Sequence, residues 1–318
     1  IGSLDGGGTT GGNVNLNGNT LTIGDLNTDT TYAGVLSGVG GGMTKTGTGI
    51  LTLSGTNSYT GTTTVNAGTL ALGASGSIDN SAAVTIASGA VFDVSAAGFT
   101  LGTGKSLTGG RTSSPATDIA GNLTSNGTLK PAGDGTIGTL TTTGNLTLGG
   151  ILNLDLDASS SAGDSIAING SLTITAGFAV NINNVGIQSG ATKIYTVASG
   201  LTSIVDEGNL PALPANFSWD TITDPTKLLL VYTNPGAHLV WTDSNLDGAW
   251  DVGITNNWDN GSGPAIFNDG DLVTFDDTAP SGIVHVNTAD VSPTTVTFAN
   301  STARDYTISG ANAITGGT

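Results

Sequence analysis

The sequence contains no cysteine, and among its 318 residues only 7 are Lys or Arg and 2 are His. Without cysteine no disulfide can brace the fold. The basic residues, Lys45, Lys105, Arg111, Lys130, Lys193, Lys227 and Arg304, stand singly along the chain. Nucleic acid binding needs clustered cations that displace counterions, so nucleic acid is excluded as a partner. An anionic membrane surface is excluded for the same reason. His238 and His285 lie far apart and show no metal-ligand spacing. No apolar run approaches a membrane span, so no direct membrane insertion is expected of this segment. Ile1-Gly2-Ser3-Leu4-Asp5 has neither the basic nor the apolar region of a signal peptide. The chain therefore reads as a mature product or a slice of something longer. There is no phosphate loop, no nucleotide fingerprint and no defensible Ser-His-Asp order.

What is present is glycine, at 51 residues, with Thr, Asn and Ser and a 37% hydrophobic content. That is too apolar for disorder, and the glycines lack the three-residue period of collagen. The 24 acidic residues give a net charge of −17, which favours solubility and loose retention of divalent cations. In residues 41–72 apolar side chains alternate with small polar ones: Leu51 and Leu53, then Val65, Leu70 and Leu72. Period-two alternation marks strands with one buried face. Gly47, Gly49, Gly55, Gly61 and Gly68 punctuate them as turns.

The order Met43-Thr44-Lys45-Thr46-Gly47-Thr48-Gly49, Leu51-Thr52-Leu53-Ser54-Gly55, Asn57-Ser58-Tyr59-Thr60-Gly61 and Thr63-Thr64-Val65-Asn66-Ala67-Gly68-Thr69-Leu70 resembles the autotransporter-associated β-strand repeat, also called the passenger-associated transport repeat. Met43 stands where Leu is usual, and Thr62 where a second Gly is common. The resemblance implies a right-handed parallel β-helix, exported across the outer membrane of a bacterium to its surface, with no catalytic residue. Absence of cysteine suits passage of an unfolded chain through a pore.

A longer period runs through the flanks. Gly121-Asn122-Leu123-Thr124 recurs as Gly144-Asn145-Leu146-Thr147, and Gly170-Ser171-Leu172-Thr173 follows, at offsets of 23 and 26 residues. Periods in the twenties mark repeat architecture. They suit one coil of three short strands and their turns. The expected fold is all-β: an elongated, single-stacked parallel β-helix, or β-solenoid, whose stability adds coil by coil. Three segments are expected: residues 1–75 with the repeat, residues 76–236 continuing the solenoid with loops near 103–118 and 208–226, and residues 237–318 as the Trp-rich start of a second module. Asn13, Asn15, Asn17 and Asn19 are expected on a strand face or in an internal amide ladder.

Three groups offer chemistry. Asp243, Asn245, Asp247 and Asp251 occupy oxygen-ligand positions 1, 3, 5 and 9 of a calcium loop, with Gly248 at position 6. Position 12 is Ile254, so the bidentate acid is missing and calcium binding would be weak. No cofactor is required; the bland reading is a polar turn. Asn153, Asp155 and Asp157 alternate with Leu152, Leu154 and Leu156; paired carboxylates suit a glycosidase, but a solvated strand face explains the spacing as well. Trp241, Trp250 and Trp258 would stack on a sugar or fill a compact corner, and packing is favoured.

The leading function is structural and non-enzymatic: a segment of an extracellular bacterial filament, stalk or adhesin. Neither Ile1-Gly2-Ser3-Leu4 nor Ala313-Ile314-Thr315-Gly316-Gly317-Thr318 reads as a cap. The coils are therefore expected to continue in a longer chain or to self-associate end to end. A surface glycan or other cell-surface partner fits the class. The alternative is a β-helical protein that binds or cleaves polysaccharide.

Overall fold

The computed structural model describes residues 1–8, 12–110, 117–157, 160–185, 192–233 and 236–315. Arg111, Asn234, Pro235 and Gly316–Thr318 lie outside these residues. The chain is an all-β solenoid of about 12 stacked turns. Among the described residues the one helical segment is the single turn Glu207–Asn209, and no helix is long and apolar enough to cross a membrane.

Residues 14–232 wind through three main sheets, of ten, eight and five strands. Alternation dictates which side chains enter. In the five-stranded sheet Leu123, Leu146 and Leu172 pair in parallel register, as do Thr124, Thr147 and Thr173. The leucines are buried and the threonines line the outside. The offsets of 23 and 26 residues seen in the sequence are therefore the register of strand pairing itself. In the ten-stranded sheet Leu51, Leu70, Phe92 and Ile119 stack in the same way. A rung buries one or two aliphatic side chains per strand, each fully buried one stabilising by roughly 1.5–3 kcal/mol.

Strands here are only two to seven residues long, so much of each coil is corner, where ladder hydrogen bonds fail. Asn and Asp side chains replace them. Asn122 Oδ1 accepts the Asn145 amide at 2.9 Å, and Asn145 Oδ1 accepts the Ser171 amide at 2.9 Å. Asn27 and Asp29 do the same for Thr48 and Ile50, both at 2.8 Å. Each side-chain oxygen thus takes an amide of the following coil. The chain is acidic partly because carboxylates serve as such acceptors. Corners also need glycine: Gly47 has φ 65°, and a Cβ there would overlap the Gly24 carbonyl of the previous coil.

Several expectations are corrected. Of the two arrangements expected for Asn13, Asn15, Asn17 and Asn19, Asn15 takes the strand face, exposed on Val14–Asn15, and the ladder is replaced by bonds to backbone: Asn13 Oδ1 accepts the Val35 amide of the next coil, while Asn15 and Asn19 close a local turn. An exposed Asn pair does exist elsewhere, with Asn181 Nδ2 donating to Asn153 Oδ1 at 3.0 Å. Ser106–Gly109, placed in a loop by the sequence, is a strand paired on both sides; its Gly and Lys neighbours hid a two-faced Ser-Leu-Thr-Gly alternation. Residues 111–116 lie outside the described residues. Phe217–Asp220, also assigned to a loop, is an edge strand, as the prolines before it allow.

Parallel winding stops at Ser203–Val205. Lys193–Ser199 then pairs antiparallel with Lys227–Tyr232, which pairs antiparallel with Phe217–Asp220. Leu210, Leu213, Phe217 and Trp219 pack on the same core. Residues 238–309 form a second hydrophobic cluster that shares no residue with the first. There His238–Trp241, Leu272–Phe275 and Thr295–Phe298 pair in parallel, and Ile283–His285 pairs with Thr307–Ser309.

Candidate functional site

The Asp243–Asp251 loop leaves the strand His238–Trp241 and is organised by a residue that sequence reading missed. Asn257 is fully buried. Its backbone oxygen accepts the amides of Thr242 and Asp243 at 2.9 and 3.0 Å. Its side-chain oxygen accepts the Asn245 amide at 2.9 Å, and its Nδ2 donates to Asp247 Oδ1 at 2.6 Å and to the Ala249 carbonyl at 2.9 Å. The available signal was its place immediately before the core residue Trp258.

The four proposed calcium ligands take up separate tasks in this turn. Asp243, nearly buried, accepts the Gly248 amide at 2.8 Å. Asp247 accepts the Ala249 amide at 2.9 Å; this bond and the Asn257 amide hold its carboxyl below the usual range. Asp251 accepts both the amide and the hydroxyl of Thr255 at 2.9 Å. Asn245 contributes its backbone amide to Asn257. Asp243 and Leu246 adopt positive φ, 47° and 59°, as the tight path requires. Ile254, at the twelfth position, is 61% exposed. Among the described residues no three His, Cys, Asp or Glu side chains converge as a metal centre would require. Asp243, Asp247 and His285 do line one open cleft of about 340 Å³, with Leu246, Pro280 and Ile283. His285 bonds Ser309 there at 3.0 Å.

The tryptophans are core. Trp241, Trp250 and Trp258 are fully buried, with ring centroids 4.9 Å apart for Trp241–Trp258 and 5.4 Å for Trp250–Trp258, both edge-on. Phe267 and Phe275 complete the knot. The indole N–H groups of all three have no hydrogen-bond partner among the described residues. They sit edge-to-face against neighbouring rings, the arrangement an aromatic quadrupole favours.

Asp155 is not on a solvated face. The antiparallel hairpin bridge Leu156–Gly163 brings Asp164 back beside it, and both Asp155 and Asp164 are buried. Asp164 accepts the Gly138 amide at 2.8 Å and the Asp155 amide at 3.0 Å, while Asp155 accepts the Gly135 amide at 2.6 Å. Burial pushes the Asp164 carboxyl up to about 7; the amides oppose this, and the Asp155 and Asp134 charges add to it. Asp157 bonds Ser160 at 2.7 Å. The two buried acids staple the 135–138 loop to the hairpin rather than face a substrate cleft.

Lys45 is the other residue whose role the sequence hid. It occupies a core column, in register with Ile23 and Val65, and is 1% exposed. Its Nζ donates to the carbonyls of Thr46 at 2.6 Å, Gly47 at 2.9 Å and, one coil later, Ala67 at 3.4 Å. Burial lowers its pKa, with Asp29 partly opposing the shift. The neighbouring coil buries Tyr59, Thr63 and Ser81 as a hydroxyl chain with links of 2.6 and 2.9 Å. The signal for Lys45 was parity: it alternates with Thr44 exactly as Met43 does, on the inward face.

The Lys45 links and the Tyr59–Thr63 link fall inside a stretch that matches a known family. The family model described as Passenger-associated-transport-repeat matches residues 43–72. Over 70 residues the chain is 49% identical to the protein named Adhesin BmaC autotransporter, from Brucella suis biovar 1 (strain 1330). That alignment covers 21% of this chain and 2% of the relative, so the chain spans a small part of the curated protein it matches. The coil built around Lys45 is thus the part of the chain that matches the passenger-associated transport repeat, and the chain that carries it folds as a β-solenoid.

Proposed function

We propose that this chain is a non-catalytic segment of an extracellular bacterial adhesin or stalk, which spaces or presents other surfaces along a rod of stacked coils. The observation that carries this reading is the joining of a passenger-type repeat to an uninterrupted parallel ladder. The eight-stranded sheet runs from Thr20–Ile23 to Ala179–Val185 on one face of that ladder. The side-chain inventory supports it: the buried acids, lysine and aromatics described above are engaged in turns, coil contacts and core packing.

The proposed reach includes end-to-end continuation, by further coils or by another copy. Its support is the parallel ladder itself, whose stability adds coil by coil and so sets no intrinsic limit on the number of coils. Display of the chain on a bacterial surface tests the reading. Doubling the coils should lengthen the layer seen by electron microscopy in proportion, without generating hydrolysis of any polysaccharide; polysaccharide cleavage by the purified chain would overturn it.

A glycan-binding role rests on a different observation. A cleft of about 400 Å³ lies where the five-stranded sheet begins, and Ser77, Asp79, Phe99, Thr100, Asn122 and Thr124 line it. Hydroxyls, an amide and one aromatic edge are groups that recognise sugars. Binding lost on Asn122→Ala in a glycan screen supports this second role; no binding by the unaltered chain contradicts it.

A further inference from the structure

The eight-stranded sheet carries an outward column of threonines in strict register. Thr22 pairs with Thr44, Thr44 with Thr64, Thr64 with Thr85, and Thr85 with Thr108. The column ends at Lys130, which pairs with Thr108. Two residues earlier a second outward position holds small residues, Thr20, Ala83 and Ser106, on three of these strands; Gly42 is buried at the corresponding place, and the strand Thr63–Val65 does not reach it. No charged side chain projects from these five strands; Lys45, the one charged residue within them, is buried in the core. On a chain of net charge −17 this face is neutral.

The hydroxyls of the column are unspent. Among the described residues none of the five makes a hydrogen bond within the protein, whereas Thr46, Thr63, Thr142 and Thr175, elsewhere on the coils, all do. Threonine is also stiff at χ1, so each rung offers its hydroxyl and methyl with little rotational freedom. The result is a rigid row of hydroxyls repeating every ~4.8 Å along the rod. Five rungs span ~19 Å and strands of about four residues ~13 Å, so the face offers only ~250 Å², short of the ~800 Å² per partner that a standard protein interface buries. The face therefore suits a partner that is itself a lattice, and needs neither charge nor aromatic stacking.

Water supplies such a lattice. With O–H···O separations of ~2.75 Å, tetrahedral bonding puts second-neighbour oxygens ~4.5 Å apart. The rung repeat departs from that by ~0.3 Å, so the mismatch accumulated over four intervals stays near 1 Å. We propose that the Thr22–Thr108 face binds the surface of ice, with the threonine hydroxyls taking lattice positions and their methyls filling the spaces between. This goes beyond a spacer or adhesin role, because it gives one sheet of the rod a ligand of its own.

The structure also provides a control. Thr100, Thr124, Thr147 and Thr173 form a second in-register ladder on the five-stranded sheet. At Thr100, Thr124 and Thr147 the three-residue strand turns only that residue outward, since the flanking positions are inward; the Thr173 strand has four residues, with Ser171 also outward. A second outward residue is thus present on one strand of four there, against three of five on the eight-stranded sheet. The test grows ice slowly from a solution of the chain and measures the protein in the ice fraction, with circular dichroism confirming the fold of each variant. The chain should be enriched in ice several-fold over an inert protein of equal size. Thr64→Lys with Thr85→Lys should abolish the enrichment, and Thr124→Lys with Thr147→Lys should leave it unchanged. Exclusion of the unaltered chain from ice, or equal loss in both folded double variants, overturns the proposal.

Discussion

Residues 14–232 and residues 238–309 use the same parallel rung and fill it differently. The first region stacks aliphatic side chains in columns, one beneath another, as Leu123, Leu146 and Leu172 do. The second gathers three tryptophans and Phe267 and Phe275 into one knot. A column spreads its energy over many similar contacts, so stability is a sum over neighbours. A knot concentrates it, so each ring depends on the others. Rung geometry is thus independent of core chemistry, because Asn and Asp acceptors carry the corners in both. Asp277 accepts the Ser301 amide at 3.0 Å, and Asp290 the Ala313 amide at 2.8 Å, as Asn122 does in the first region.

The largest expected effect breaks the knot. Trp258→Ala should cost ~3–5 kcal/mol and remove the 238–309 region from the folded state. Two-probe unfolding, with hydrogen exchange followed region by region, should show the 14–232 transition unmoved. A common loss would show that the two cores unfold as one.

Lys45 comes next. Lys45→Met keeps the volume of the column but leaves the Thr46, Gly47 and Ala67 carbonyls without their donor. A charged donor of this kind is worth ~2 kcal/mol, so urea unfolding should shift by about that amount in the first region alone.

Asp164 gives the comparison a pH axis. Its carboxyl is raised by burial to about 7, so the folded state holds the proton more tightly than the unfolded chain. The stabilisation is complete below the unfolded carboxyl value of ~3.9 and is lost as pH rises through 7. Thermal stability of the first region should therefore fall between pH 4 and pH 7. Asp164→Asn should flatten that slope. Asp271, also raised by burial, should impose the same direction on the second region and be indifferent to that substitution.

Smaller effects sharpen the picture. Ser125 sits in a column with Leu101 and Leu148, and its hydroxyl is buried without a partner. Ser125→Ala should stabilise the first region by ~1 kcal/mol in the same urea titration. Calcium at 1 mM acting on the Asp243–Asp251 loop with a millimolar Kd should add only ~0.4 kcal/mol to the second region. A Tm gain of many degrees would instead mean that calcium rebuilds the turn now closed by Asn257.

Much of the rod was legible because alternation and period are local properties. Gly-Asn-Leu-Thr announced the register, and Leu51, Leu53 and Val65 announced their buried face. The sequence misled wherever burial came from a distant segment. Asp155 reads as solvent-facing by parity, yet the Gly135 amide and the returning Asp164 bury it. Asn257 reads as one more loop asparagine, yet bonds to residues 8 to 15 positions earlier make it the hub of the candidate calcium loop. Lys45 reads as a surface charge because lysine seldom enters a core without carbonyls arranged to receive it. Those carbonyls belong to two different coils.

The central claim is that both regions are stacked parallel coils in one-to-one register. A chain without native cysteine allows a direct test. Thr124→Cys with Thr147→Cys, and separately Thr274→Cys with Thr297→Cys, place thiols on paired positions of adjacent rungs. Parallel neighbours ~4.8 Å apart fall within the Cα separation a disulfide requires. Mild oxidation should close both pairs quantitatively, whereas Thr100→Cys with Thr173→Cys, three rungs apart at ~14 Å, should remain reduced. Failure of either adjacent pair to close, or closure of the distant one, would contradict the solenoid described here.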